Sequence, residues 1–355
     1  MSTEYFFSSG VFGCTHYPSM KCDGKQSNLV MKNKNPTISK LTAYDNTAKN
    51  EYLIGKKLKD VQDKHDNMIV VVERMCKINK KNVNKITREY EDCDKIVQRK
   101  RSRKYVLFFS KYFKSVTASK YIRSNISLEA IFRVYFFAIK STALLKKNNV
   151  VHMDFHMGNV IYDIKKKFHL IDFGLALDLD RFYKTNLKGE VNYKLLRKSL
   201  GGSHNPEWLQ FPIEVHILSF LLFQGQELSK QILTSIIDYY YDSVVEDSKH
   251  FKTLFGDLDT YKYSVFEHYS KKFVNKKPIK EHILEIVSAA CHSWDMYRVC
   301  SRYVVKKLHV VNQGYIVSKL KSKAFESLHF DYEKRPTSEA LASNDFLLSL
   351  NNEFK

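Results

Sequence analysis

The chain has 355 residues, 44% of them hydrophobic and 14% aromatic, enough to bury one large core or the cores of two lobes. Lys and Arg number 58 against 38 Asp and Glu, and the net charge of +20 favours phosphates, acidic peptides, nucleic acid or anionic membranes as partners. The most apolar windows contain Arg133 and Lys140 and are too short to span a bilayer, so no transmembrane segment is expected. The six cysteines form no C-x-x-C pair and the N-terminus resembles no signal peptide, which favours a reduced intracellular compartment.

The predicted elements change in character along the chain. The first 110 residues contain short apolar runs typical of strands, with a helix around Glu51. A helix is predicted to begin near Asn125 or Ser127 and to end at "KKNN", because its apolar residues recur at helical spacing. Short strands then flank "HMDFHMGN", "FHLIDFG" predicts a buried strand and a glycine turn, and residues 212 to 348 favour helices. We therefore predict an α+β fold with a small β-rich N-lobe, 1–114, and a large α-rich C-lobe, 115–355.

The stretch "HMDFHMGN" contains two histidines four residues apart, His152 and His156. On a helix, this spacing would place both rings on one face as zinc ligands. The β-branched residues before the stretch, and Gly158 and Asn159 at its end, argue against a helix. A polar turn between two strands is the alternative if the stretch is considered alone.

Asp154 is followed by Asn159 after five residues and by Asp172 after 18. The two motifs, "HMDFHMGN" and "IDFG", together resemble the catalytic loop and the metal-binding turn of the protein-kinase superfamily. Phosphoryl transfer needs a carboxylate to accept the hydroxyl proton, oxygen ligands for Mg²⁺ and a glycine beside the metal. The resemblance implies a bilobal kinase fold, ATP as cosubstrate, Asp154 as catalytic base, and Asn159 and Asp172 as ligands of Mg²⁺, with Mn²⁺ as the alternative metal. Gly174 would be the turn glycine.

The resemblance also implies nucleotide contacts in the N-terminal half. Gly10 and Gly13 in "SSGVFG" correspond to a glycine-rich loop whose backbone N–H groups bind phosphates, with Ser8 replacing its first glycine. Lys40 and Glu51 match the phosphate-binding lysine and its helical partner, and Phe109 in "YVLFF" is included among the nucleotide contacts. Other lysines remain competitors of Lys40: Lys32, Lys34, Lys49 and Lys56.

The patterns "GCxxYPxxxC" and "FPIEVHILSFLL" are similar to those of Ser/Thr protein kinases of large DNA viruses. That resemblance implies an intracellular enzyme of the host cytoplasm, with association with the virion as a further option, acting on protein substrates. The net charge indicates that these are acidic. Near the C-terminus, "KRPT" implies that Arg335 is a buried ion-pair residue. Glu207 is one candidate partner, whereas Glu214 is expected to hold the catalytic loop.

The sequence departs from the usual kinase pattern at two positions, and these keep alternative functions open. Met153 stands where many kinases have Arg, so no cation is expected beside Asp154, and His156 replaces a lysine that contacts the transferred phosphate. We expect His156 to contact that phosphate as a weaker electrostatic partner. The combination also resembles aminoglycoside and choline phosphotransferases, and a pseudokinase that only binds partners is a third reading. The basic run at 99–104 is read as a solvated hairpin tip, with a nuclear-localisation or nucleic-acid patch as the alternative, so nucleic acid is not the expected partner. The sequence indicates no oligomeric state.

Overall fold

The computed structural model describes residues 6–10, 13–22, 36–79, 81–83, 104–183, 191–200, 211–247, 256–274, 278–311 and 314–354. The chain forms two compact units, the first made of Met1–Ala118 and Gly158–Ala176 and the second of Ser119–Met157 and Leu177–Lys355. The first unit is rich in β-structure and the second is largely helical, which confirms the predicted α+β class. The proposed lobe boundaries at 114 and 115 divide the chain differently and stay a prediction.

The first unit is built on a five-stranded antiparallel sheet in the order β1-β2-β3-β5-β4. Its strands are β1 Phe6–Gly10, β2 Gly13–Tyr17, β3 Thr37–Ala43, β4 Arg74–Ile78 and β5 Tyr105–Lys111. Helix α1, Asn46–Lys64, follows β3 and begins where the Asp45 side chain accepts a hydrogen bond from the Ala48 N–H at 2.9 Å.

Alternation along β3 and β5 gives this sheet two different faces. Lys40 pairs with Phe108, and Leu41 pairs with Leu107. These successive pairs lie on opposite faces of the sheet. Phe108 is packed in an apolar cluster with Ala48 of α1. Lys40 therefore lies on the face that α1 covers, which is what brings it to Glu51.

A disulfide joins Cys22, just after β2, to Cys76 in β4, with the two Cα atoms 6.0 Å apart. Cys14 is also disulfide-bonded, whereas Cys291 and Cys300 are buried free thiols. The expectation that scattered cysteines are reduced is wrong for these residues. The strands bring together cysteines that are 54 residues apart in sequence, and no local spacing reveals that.

A three-stranded sheet completes the first unit in the order β6-β8-β9, with β6 Ser115–Thr117, β8 Val160–Asp163 and β9 Phe168–Leu170. Leu170 joins the segment before β4, since its carbonyl accepts from Val70 N at 2.8 Å and its N–H donates to Met68 O at 2.9 Å. These bonds explain why residues 158–176 belong to the first unit. They also fix the start of the segment that carries Asp172.

The second unit contains a two-stranded antiparallel ladder, β7 Val150–Val151 with β10 Leu177–Asp178. Helix α3 begins at Leu128, is capped by the Ser127 side chain and ends at Lys147, as its apolar spacing predicts. A π-helical turn at Cys300–Val304 joins the helices Trp294–Val299 and Val305–Leu308. The helices after α1 are α2 Ala118–Ser124, α3 Leu128–Lys147, α4 Leu179–Tyr183, α5 Tyr193–Ser199, α6 Ile213–Gln224, α7 Lys230–Asp247, α8 Leu258–Phe273, α9 Ile279–Ala290, α10 Trp294–Val299, α11 Val305–Leu308, α12 Tyr315–Glu326, α13 Ser338–Ala342 and α14 Asp345–Glu353.

Within the residues described above, no helix combines the length and apolarity that a bilayer crossing requires.

Candidate functional site

Lys40 contacts two acidic residues in the first unit. Its Nζ donates to Glu51 Oε1 and Oε2 at 3.3 and 3.2 Å, and to Asp172 Oδ2 at 3.4 Å. Burial alone would lower the pKa of Lys40, but the carboxylates of Glu51 and Asp172 outweigh that effect and raise it. The lysine is therefore a permanent cation whose position is fixed from two sides.

The competing lysines are resolved in part. Lys49 is exposed and precedes Asn50 on α1, and the Nζ of Lys56 lies 4.9 Å from the centre of the Tyr52 ring. Lys32 and Lys34 lie outside the described residues. Lys40, by contrast, contacts both Glu51 and Asp172.

The turn that contains Asp172 has a strained backbone and is attached to α1. Asp172 has a φ of 64°, a left-handed conformation that an aspartate adopts at some cost. A Cβ at Gly174 would lie 3.0 Å from the Thr47 methyl carbon, so glycine suits this close approach. The Asn50 side chain donates to the carbonyl oxygens of Gly174 and Ala176 at 3.2 and 2.7 Å. Asn50 was not singled out from the sequence, because a polar residue on a half-exposed helix face gives no signal of such a contact.

Asn159 and Asp172 are the expected metal ligands, and both belong to the first unit. Asn159 is buried, and its carbonyl oxygen accepts from Ile171 N at 2.9 Å, which ties it to the residue before Asp172. An amide oxygen and a carboxylate are the hard donors that Mg²⁺ prefers beside phosphate oxygens, so these residues fit the ion. In the described part of the chain, no cluster of three or more His, Cys, Asp or Glu is arranged around a metal position.

The glycine pair of the predicted phosphate loop closes the β1–β2 hairpin. Gly10 pairs with Gly13, and residues 11–12 between them lie outside the described residues. A Cβ on Gly13 would lie 2.3 Å from the Leu41 carbonyl oxygen, and the residue has a φ of 155°. A side chain at Gly13 is therefore excluded by the close approach of β3.

The placement of Phe109 does not agree with its expected nucleotide contact. Phe109 is buried in an apolar cluster with Leu41 and Leu107, on the sheet face opposite to Lys40, and the Arg74 guanidinium lies 3.9 Å from its ring centre. Ile38 and Ser110 pair on the Lys40 face and are half-buried. A run of five apolar residues does not reveal which alternate set faces which way.

The second unit holds Asp154 in the loop between β7 and β8, which is not helical. The two-histidine zinc arrangement on a helical face is therefore not formed. Arg298 Nη2 donates to Asp154 Oδ1 at 2.7 Å, and His156 Nε2 lies 3.7 Å from Asp154 Oδ2. Burial alone would raise the pKa of Asp154, but His156 and Arg298 together lower it. Asp154 is thus held as a carboxylate, the form that accepts a proton.

The expectation that no cation stands beside Asp154 is wrong. Met153 has no charge, but Arg298 also donates from Nη1 to the Met153 carbonyl oxygen at 2.8 Å. The cation comes from α10, 144 residues away in sequence. No local motif marks it.

Asp295 holds the catalytic loop, a role that was expected of Glu214. Asp295 is buried, and its two carboxylate oxygens accept from the backbone N–H groups of His152 and Met153 at 2.7 and 2.9 Å. Glu214 instead forms an ion pair with Arg335, at 2.5 Å between Oε1 and Nη1, and accepts from Trp294 Nε1 at 3.1 Å. The other candidate partner of Arg335, Glu207, lies outside the described residues, as does 99–103 of the basic run.

The fold is bilobal, kinase-like and α+β. Residues 36–197 match the family model described as the ABC1 atypical kinase-like domain. This range contains Lys40, Glu51, Asp154, Asn159 and Asp172. No curated protein matches the chain.

Proposed function

We propose that the chain is a Mg²⁺-dependent enzyme that transfers the terminal phosphoryl group of ATP to Ser or Thr hydroxyls of proteins. The observation that carries this proposal is the contact of Lys40 with both Glu51 and Asp172. A lysine fixed between a helical glutamate and a second carboxylate is the arrangement that phosphoryl transfer requires in kinases.

The roles of the chain's own residues follow from their chemistry. Mg²⁺, when bound with ATP, neutralises charge on the phosphate oxygens, and Asn159 and Asp172 would hold it. Lys40 would bind phosphate oxygens, while Glu51 keeps its ammonium group in place. Asp154 would accept the hydroxyl proton on its carboxylate, and His156, whose side chain is 43% exposed, would donate a hydrogen bond to the phosphate.

The two alternatives differ in their support. The aminoglycoside- or choline-type reading is favoured by His156 at the usual lysine position, and the match to an atypical kinase-like domain leaves the acceptor open. The pseudokinase reading is disfavoured because each polar group that the chemistry needs has a candidate among the described residues.

The test is incubation of the purified chain with labelled ATP and Mg²⁺, separately with casein, histone, an aminoglycoside and choline. We expect label on Ser or Thr of a protein acceptor, no label with Lys40→Met, and near-normal labelling with the exposed matched control Lys49→Met. Label on the aminoglycoside or choline alone would establish the small-molecule alternative. ATP binding by wild type without labelled product would establish the pseudokinase.

We also propose which substrates the enzyme acts on and where in the cell it acts. The +20 net charge supports acidic protein substrates, whose phosphorylation should weaken as salt screens the field. The sequence resemblance to kinases of large DNA viruses supports action in the host cytoplasm. The Cys22–Cys76 disulfide adds the requirement that a thiol oxidant acts on the chain there.

A further inference from the structure

One turn of α10 contacts the backbone and the carboxylate of the catalytic loop at four points. Asp295 accepts from the N–H groups of His152 and Met153, and Arg298 donates to the Met153 carbonyl and to the Asp154 carboxylate. Residues three apart lie on the same side of a helix, so both side chains reach the same loop. Arg298 is only 6% exposed.

The loop they contact is strained at its centre. Met153 has a φ of 63°, in the left-handed region that a long side chain rarely adopts. Its N–H and its C=O are both bonded to the α10 turn, at 2.9 and 2.8 Å. Because hydrogen bonds hold both the N–H and the C=O of Met153, they keep its backbone in this strained conformation.

We propose that Arg298 is a positioning residue that fixes the rotamer of Asp154 and the backbone of Met153 for phosphoryl transfer. This inference rests on the proposed function. The guanidinium is suited to it, because its planar fork donates to two acceptors in a fixed geometry, whereas a lysine donates from a single point. The charge that many kinases carry on the residue before the aspartate is supplied here from a distant helix.

The charged groups around this contact have opposite effects. His156, Arg298 and His152 favour the ionised form of Asp154, against its burial. Burial lowers the pKa of Arg298, with a smaller contribution from Arg302, and outweighs the opposing effect of Asp154 and Asp295. Removal of the guanidinium should therefore raise the pKa of Asp154 and free its side chain to rotate.

A residue that only stabilised the fold would leave the ionisation of Asp154 unchanged. The experiment therefore compares Arg298→Gln and Arg298→Lys with wild type in two measurements. The first is kcat and KM for ATP across a pH series with the acceptor that wild type labels. The second is ¹³C NMR titration of labelled aspartate, with the Asp154 signal assigned by Asp154→Asn. Arg133→Gln is the matched control, since Arg133 pairs with Glu129 on the exposed side of α3 at 3.5 Å.

For Arg298→Gln we expect kcat to fall on the order of 10- to 100-fold, as for loss of the charge-assisted hydrogen bond to the Asp154 carboxylate, with KM for ATP nearly unchanged. The Asp154 titration and the acid limb of the rate profile should move to higher pH. Arg298→Lys should restore most of the wild-type pKa of Asp154 but only part of the wild-type kcat. Arg133→Gln should match wild type in both measurements.

An unchanged Asp154 titration in folded Arg298→Gln, or equal kcat losses in the two variants without a titration change, would overturn the proposal. If Arg298→Gln does not fold, Arg298→Lys decides through kcat: a wild-type kcat in that variant would overturn the proposal, and a partial loss of kcat with a near-normal Asp154 titration would support it. If wild type transfers no phosphate, the proposed function fails, and the NMR titration still decides whether Arg298 controls Asp154.

Discussion

Glu214 and Arg335 form an ion pair that is almost completely withdrawn from water, with side chains 0% and 1% exposed and both guanidinium nitrogens on the carboxylate at 2.5 and 3.0 Å. Tyr269 and Trp294 also donate to Glu214, at 3.4 and 3.1 Å. The pair joins α6 to the segment before α13, so it connects distant parts of the second unit.

We expect Glu214→Gln to lower the free energy of unfolding by about 3 kcal/mol, because it leaves the Arg335 charge buried without its carboxylate. Urea unfolding measures the loss. The control is Glu267→Gln, which removes the exposed 3.4 Å pair with Lys271 and should change stability by less than about 0.5 kcal/mol. Equal effects of the two changes would contradict this assignment of the buried pair.

Asn50 provides a test of the turn that contains Asp172. Asn50→Ala removes two hydrogen bonds to Gly174 and Ala176, so the turn loses its attachment to α1. We expect kcat to fall about tenfold with a loss of about 2 kcal/mol in stability, at about 1 kcal/mol for each neutral hydrogen bond. Asn46→Ala, at the exposed start of the same helix, should change kcat less than twofold, roughly within assay error. Equal kcat values for the two variants would contradict this role of Asn50.

His16 should make the stability depend on pH. It is 2% exposed in β2, and burial lowers its pKa to about 4, against a smaller opposing effect of a hydrogen bond with Ser39. Because the folded pKa lies below the unfolded value, this contribution is complete above about pH 6.5 and is lost as the pH falls through 4. Its magnitude is on the order of 3 kcal/mol.

The measurement is the urea midpoint by far-ultraviolet circular dichroism at several pH values between neutrality and pH 4, for wild type and His16→Gln. We expect wild type to lose more stability on acidification than the variant does. Parallel pH profiles would show that His16 is not responsible.

Gly55 should reverse the usual preference for alanine inside a helix. Gly-to-Ala changes in helix interiors typically stabilise by up to about 1 kcal/mol. A Cβ at Gly55, however, would lie 2.2 Å from the Val72 carbonyl oxygen, so α1 would have to move off the segment before β4. We expect Gly55→Ala to destabilise the chain and Gly314→Ala, where no atom lies within 4 Å of the added Cβ, to be nearly neutral. A stabilised Gly55→Ala protein would contradict the close packing.

The elements next to the motifs could be predicted because their signals are local. Ser127 before an apolar periodic run predicts the start of α3, and its side chain accepts a hydrogen bond from the Ala130 N–H at 3.1 Å. The partners of the motifs could not be predicted in this way. Glu214 and Asp295 are both acidic residues in apolar helices, and only tertiary packing decides which one meets the catalytic loop and which meets Arg335.

Single-turnover transfer from labelled ATP by wild type and Asp154→Asn shows whether phosphoryl transfer depends on Asp154. The substitution keeps the size of the side chain but removes the proton acceptor. Folding of the variant is checked by its urea midpoint, and ATP binding by its dissociation constant. We predict labelled acceptor with wild type and a loss of at least about 100-fold in the transfer rate for the variant, with ATP still bound. Transfer at the wild-type rate by folded Asp154→Asn protein would show that Asp154 is not the proton acceptor.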